Sequence, residues 1–208
     1  MNDITTTQRR TQAYWFVDGL GELIGGAALA AVGALMHLSV AVDNEGFATM
    51  ALGVMILGFP LSAKAVRWAK DHLTHRRTGY VSYPAPSARR RTTSTIIAAV
   101  LGIVFTVSAV SLGERGFDGT LGTYMLLGLG AGVAVALAAR ASLMSMPRFY
   151  LSAIVVATSA IWSVAQELGF IAGMGVVWIA LGLASLITGG IALGQYLRAT
   201  SGLAGEAE

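Results

Sequence analysis

The sequence predicts an all-α polytopic membrane protein, a bundle of six transmembrane helices. Of its 208 residues, 55% are apolar and only 12% are charged, about half the charged fraction of ~25% that is typical of soluble domains. The mean hydropathy is +0.67. The chain also contains six uncharged runs, each close to or above the ~20 apolar residues that a spanning helix needs. These observations exclude a soluble globular domain and predict a single integral membrane domain over residues 1–208.

Ionisable residues divide the chain into the predicted spans, because a charged side chain inside a bilayer is costly. The spans are expected at about residues 19–42, 46–64, 94–113, 119–139, 149–166 and 171–196. The first is too long for the 7–15-residue apolar core of a signal peptide. The second and fifth are short, and Pro60 predicts a kink or an end near the second one's last residues. The sixth is long enough to tilt or to extend beyond the bilayer.

The distribution of cations predicts the orientation. Thirteen of the fourteen Lys and Arg residues lie in the two terminal tails, in the segment from Lys64 to residue 93 and in the connection between the fourth and fifth spans. The alternate connections hold only Arg115, together with most of the acids near span ends. Because cytoplasmic loops are enriched in Lys and Arg, we expect both termini to be cytoplasmic in a bacterial-type inner (plasma) membrane. This bias accounts for the basic pI, and no nucleic-acid partner is expected.

The main non-membrane element is the cytoplasmic loop at 65–93. Its first part, Ala65 to His75, is able to continue the second helix, and Gly79, Pro84 and Pro86 then break the helical pattern.

Four polar residues are candidates for an intramembrane path. Asp18 and Glu22 stand four apart and share a helix face, and acids within a span are functional hypotheses by default. His37 lies about 60° from Glu22 around the helix axis, and Gln166 closes the fifth span.

A plainer interpretation of these residues is favoured. Counting about 20 residues back from Asp43 places Asp18 and Glu22 at the inner membrane boundary. They would then begin an interfacial helix, with Arg9 or Arg10 as counter-ions, and His37 would bond to a neighbouring helix or the outer interface.

The least generic stretch of the chain is the loop sequence Arg77-Thr78-Gly79-Tyr80-Val81-Ser82-Tyr83-Pro84. Gly79 would allow a tight turn, and Tyr80 or Tyr83 would pack under the helices or against a partner. Tyrosines seated among lipid headgroups are an equally good explanation. The Arg-Thr-Gly-Tyr-Val-x-Tyr string between the second and third of six spans resembles a group of uncharacterised bacterial multi-pass membrane proteins. In those proteins a Pro often precedes the motif, whereas position 76 here is Arg, and the resemblance implies no activity.

Two further patterns suggest partners. Arg89, Arg90 and Arg91 precede the third span, where each cation near an anionic leaflet contributes about 1 kcal/mol of attraction. They are expected to contact anionic lipid headgroups. The GxxxG pairs Gly21/Gly25, Gly128/Gly132 and Gly190/Gly194 favour close helix packing, within a compact bundle, in a homodimer or with a membrane partner protein.

Signs of catalysis are sparse. The chain has no cysteine and three histidines, and it lacks GxSxG, HExxH and P-loop motifs. No cofactor, metal or catalytic residue is therefore predicted. Ser108, Ser111 and Ser163 have no convincing base nearby.

We therefore expect a non-enzymatic structural, accessory or regulatory membrane component. The alternatives are a small-solute or proton-linked transporter or channel, and then a lipid-modifying membrane enzyme.

Overall fold

The computed structural model describes residues 16–73 and 119–204, and these ranges are helical with no strand. The helices are α1 (Leu20–Ala41), α2 (Glu45–Leu73), α3 (Gly119–Met144), α4 (Arg148–Ala165) and α5 (Gly169–Ala204). The predicted all-α class is thus confirmed for this part of the chain. The predicted third span, the loop motif at 77–83 and the Arg89–Arg91 run lie outside the described residues.

Four of the helices, α1, α3, α4 and α5, are long and apolar enough to cross a membrane, and α2 makes a fifth if its two parts are counted as one span. Large apolar side chains are exposed on all five helices, whereas soluble monomers rarely expose extensive apolar patches. The most exposed include Ile56, Val135, Ile154, Ile161 and Ile187. Apolar helices that could cross a membrane are therefore established, whereas the count of six stays a prediction.

Helix α2 is bent near its middle. Its segments Glu45–Gly58 and Leu61–His72 meet at an angle of 50°, and the bend coincides with Pro60, which has no N–H to bond to the preceding turn. Of the kink and the helix end that were both possible there, the structure shows the kink. The helix then continues to Leu73, as the sequence from Ala65 allowed.

Short connections reverse the chain after α1, α3 and α4. Each contains a residue with positive φ: Asp43 (49°), Ser145 (55°) and Glu167 (51°). In each case the next residue donates its N–H to a carbonyl five positions back, over 3.0 to 3.2 Å. This is the bond of a Schellman motif, which satisfies the last carbonyls of a helix. The motif turns the chain tightly, so α1 and α2 run in opposite directions, as do α3 and α4, and α4 and α5.

The two ends of the bundle differ in charge. We call basic end the end formed by the first turn of α1, the last turns of α2 and α5, and the α3–α4 connection. We call acidic end the opposite one, where the α1–α2 connection carries Asp43 and Glu45 and the α4–α5 connection carries Glu167. Side-chain contacts across the basic end, described below, join α1 to α2 and α4.

Helices α1 and α5 pack through three pairs of glycines. Gly19 faces Gly189, Gly26 faces Gly182 and Gly33 faces Gly175. A Cβ added to Gly189, Gly182 or Gly175 would lie 2.9, 2.7 or 2.9 Å from the carbonyl oxygen of its partner. Only glycine permits this approach of two backbones. We call these six residues the glycine seam.

The seam follows a spacing of seven residues, which returns to the same helix face after nearly two turns. The predicted GxxxG pairs do not form this contact. A Cβ on Gly25, Gly128, Gly132 or Gly194 would have no neighbour within 4 Å. A Cβ on Gly21 or Gly190 would lie 3.9 Å from its nearest neighbour, which is an ordinary side-chain contact. Within the described residues, close packing therefore uses different glycines from those that the motif indicates.

A second contact region holds α3, α4 and α5 together. Its buried side chains are Leu126, Val156, Ala160, Met174, Val177 and Leu181. Helix α5 thus packs on α1 through glycines and on α3 and α4 through apolar side chains, which places it at the centre of the described bundle.

We expect Gly26→Ala to destabilise the protein, because the new methyl would lie 2.8 Å from the Gly182 carbonyl oxygen and the backbones would have to separate. Overpacking of this kind costs about 1–3 kcal/mol. Gly25→Ala is the matched control, since its methyl meets open space. The measurement is unfolding by SDS in mixed micelles, followed by circular dichroism. Equal shifts for the two variants would contradict the seam.

Candidate functional site: a charged cluster at the basic end

Five charged side chains gather at the basic end: Asp18, Glu22, Lys70, Arg140 and Arg148. We call them the charged cluster. They come from four helices or their flanking turns, so the cluster joins parts of the chain that are distant in sequence.

Asp18 and Lys70 form a buried ion pair. The Lys70 Nζ lies 2.8 Å from the Asp18 Oδ2, and the side chains are only 4% and 6% exposed. The other carboxylate oxygen, Oδ1, accepts a bond of 3.3 Å from the backbone N–H of Leu20. Asp18 therefore also satisfies a free donor in the first turn of α1. The pair links this turn to the second segment of α2.

Glu22 is bound by groups from two other helices. The Arg148 Nη2 lies 2.8 Å from its Oε1, and the Thr188 hydroxyl of α5 donates to its Oε2 over 3.2 Å. Arg148 also donates to the backbone carbonyl of Phe16. Glu22 itself is 9% exposed. This carboxylate thus connects α1, α4 and α5 in a place where an unpaired charge would be costly.

Arg140 has a different environment. Its guanidinium lies 4.4 Å from the centroid of the Phe16 ring and 5.4 Å from that of Phe149, within the range of cation–π attraction. The two rings meet edge to face at 6.1 Å. The Arg148 guanidinium lies 5.7 Å from the same Phe149 centroid. The two arginines therefore share one aromatic support.

The structure separates the four residues of the predicted path. Asp18 and Glu22 lie in the charged cluster at the basic end. His37 is exposed in the last turns of α1, and Gln166 is exposed where α4 ends, at the acidic end. On α1, the face between Glu22 and the level of His37 carries Gly26 and Gly33 and lies against the backbone of α5.

The sequence does not indicate the described partners of the two acids. It predicts Arg9 or Arg10 as counter-ions, and these lie outside the described residues. The described partners are Lys70 and Arg148, for which the sequence predicts only a role in orientation. A signal was present, because an acid at the membrane boundary needs a cation at the same depth. Nothing in the sequence, however, indicated which helix supplies it.

The remaining chemistry-bearing groups show no catalytic arrangement in the described ranges. Ser163 is fully buried and donates to the carbonyl of Ser159 over 2.8 Å. Among these residues no three His, Asp or Glu side chains are placed to hold a metal ion. A cavity of about 540 Å³ opens at the acidic end, lined in part by Thr123, Tyr124 and Glu167. It lies at the opposite end from the charged cluster.

No protein-family model, curated protein or solved structure matches the chain. The functional argument therefore rests on the placement of its own side chains.

We expect Lys70→Met to destabilise the protein, because it leaves the Asp18 carboxylate buried without its cation. Breaking one partner of a buried pair costs about 3–5 kcal/mol. The double variant Asp18→Asn with Lys70→Met should recover much of this loss, since no charge is then left unpaired. SDS unfolding measures all three variants.

Lys64→Met is the control, since it removes the same charge from an exposed position on the same segment. Additive losses in the double variant, with no coupling between positions 18 and 70, would show that the pair does not hold α2 to α1.

Proposed function

We propose that the protein is a non-enzymatic integral membrane component with a structural, accessory or regulatory role. Its place is a cell inner (plasma) membrane, with both termini and the basic end in the cytoplasm. Support for this orientation comes from the concentration of Lys and Arg at one set of connections.

The observation that carries the proposal is that the buried polar side chains bond to one another between helices. Glu22 bonds to Arg148 and Thr188, and Asp18 bonds to Lys70. These side chains tie helices together. Toward the acidic end, α1 and α5 then lie backbone to backbone along the glycine seam. Contacts of this kind suit a rigid scaffold better than a conduit that must open.

A scaffold needs a surface through which it acts, and the cytoplasmic loop at 65–93 is the best candidate. The second segment of α2 overlaps the first part of this loop and has Lys64, Arg67 and Trp68 on its exposed side, Trp68 being 64% exposed. Its far side is held by the Lys70–Asp18 pair. We propose that the loop motif, Arg77 to Tyr83, contacts a membrane partner protein or a second copy.

A small-solute or proton-linked transporter is the second candidate. The observation that favours it is the burial of two acids, Asp18 and Glu22, beside three cations at the edge of a span, because intramembrane acids often carry protons or bind cations. It requires Glu22 to exchange its partners during each cycle and a route onward that avoids the glycine seam.

Proton flux into proteoliposomes separates these candidates. The vesicles contain a pH-sensitive dye, and a membrane potential is imposed across them. If the protein is a scaffold, vesicles with the wild type or with Glu22→Gln should show the same proton flux as vesicles without protein. Glu167→Gln, at the acidic end, is the matched control. Flux that the wild type supports and that only Glu22→Gln abolishes would overturn the scaffold and establish the transporter.

A partner can be sought with a photo-crosslinking amino acid at position 80 in native membranes. We expect one defined crosslinked product, a membrane protein or a second copy, that is reduced severalfold by Tyr83→Ala. The same crosslinker at position 44, in the α1–α2 connection, is the control. Equal products from positions 80 and 44 would count against the loop as the contact surface.

A further inference from the structure

We propose that Arg140, together with Arg148, forms a binding site for the phosphate group of an anionic membrane lipid at the basic end. The site is distinct from the Arg89–Arg91 run, which precedes a different span. It is built by the end of α3 and the start of α4 against the first turn of α1.

The first argument is a surplus of positive charge. The charged cluster contains three cations and two carboxylates. Lys70 forms an ion pair with Asp18, and Arg148 forms one with Glu22, each at 2.8 Å. Arg140 is left with only a longer-range electrostatic interaction with Glu22. One guanidinium in a half-buried position thus has no carboxylate of its own within the described part of the chain.

The second argument is the state of the guanidinium's hydrogen-bonding groups. The Nε atoms of Arg140 and Arg148 are both buried, and no described residue accepts a hydrogen bond from either. The Glu22 Oε1 is also buried without a hydrogen bond, although it lies 2.8 Å from the Arg148 Nη2. Buried donors are nearly always bonded in folded proteins. The planar guanidinium matches the oxygens of a phosphate group in a two-point contact, so an oxyanion is well suited to the donors that the described residues leave open.

The third argument is position. Arg140 lies four residues before the end of α3, and Arg148 is the first residue of α4. Both therefore lie at the ends of apolar helices that are long enough to cross a membrane, where we expect the lipid phosphates to be. Basic pockets between helices on the cytoplasmic side are known to bind lipid headgroups.

The Phe16 and Phe149 rings hold the site in shape. They lie under the Arg140 guanidinium at 4.4 and 5.4 Å, and Phe149 lies 5.7 Å from that of Arg148. Two like charges are thereby kept near one aromatic pair before any anion arrives. Such preorganisation reduces the entropy lost on binding. The excess charge favours a phosphate that is not offset by a choline group.

The test is the affinity of the purified full chain, in a neutral detergent, for short-chain phosphatidylglycerol. Phosphatidylcholine of the same chain length and inorganic phosphate are titrated in parallel. We expect binding of phosphatidylglycerol to be weakened about fivefold or more by Arg140→Gln, the loss of one cation's contribution. Arg67→Gln removes an equal charge from an exposed position at the same end and should change the affinity little.

Arg140→Lys guards against a folding defect, because it keeps the charge but removes the two-point contact, and we expect an intermediate loss. Binding of phosphatidylglycerol but not of inorganic phosphate assigns the site to a lipid headgroup. Binding of both, each lost in Arg140→Gln, assigns it to phosphate from either source. Equal losses in Arg140→Gln and Arg67→Gln would overturn the proposal. So would equal affinity for phosphatidylcholine, or a destabilised Arg140→Gln whose lipid affinity is unchanged.

Discussion

The close approach of α1 and α5 at the glycine seam is the contact on which the rest of the described structure depends. Because three pairs of glycines let the backbones touch, Thr188 comes within hydrogen-bonding distance of Glu22. In a bilayer no hydrophobic force drives helices together, so their association depends on van der Waals packing and hydrogen bonds. Both interactions are strengthened when two backbones approach this closely. On its other side, helix α5 packs against α3 and α4 through the apolar core around Val156 and Val177.

The charged cluster is a consequence of this packing. With α1 placed against α5, its first turn lies between the end of α2 and the start of α4, and its two acids meet Lys70 and Arg148. Buried ion pairs add little net stability, yet the loss of either partner is costly. Their effect is specificity, since another arrangement of the helices would leave a charge without its counter-ion.

This arrangement bears on function through the groups that it occupies. Acids at the edge of a span suggest transport when they are considered alone. Once bonded to neighbouring helices they act as structural ties, and His37 and Gln166 lie at the other end of the bundle. Within the described residues Arg140 is the cation of the cluster that has no carboxylate of its own, and the proposed lipid site rests on it.

Apolar run length and charge placement were enough to predict the helical class, the positions of α1, α3, α4 and α5, and the bend at Pro60, because hydropathy and backbone chemistry are local properties. The sequence also identified Asp18 and Glu22 as unusual acids. It did not reveal their partners, because the Glu22–Thr188 contact spans 166 residues and depends on which helices are neighbours. The seam glycines could not be predicted from the sequence for the same reason. Their seven-residue spacing has meaning only when α1 and α5 lie antiparallel, and that pairing was decided by the tertiary structure.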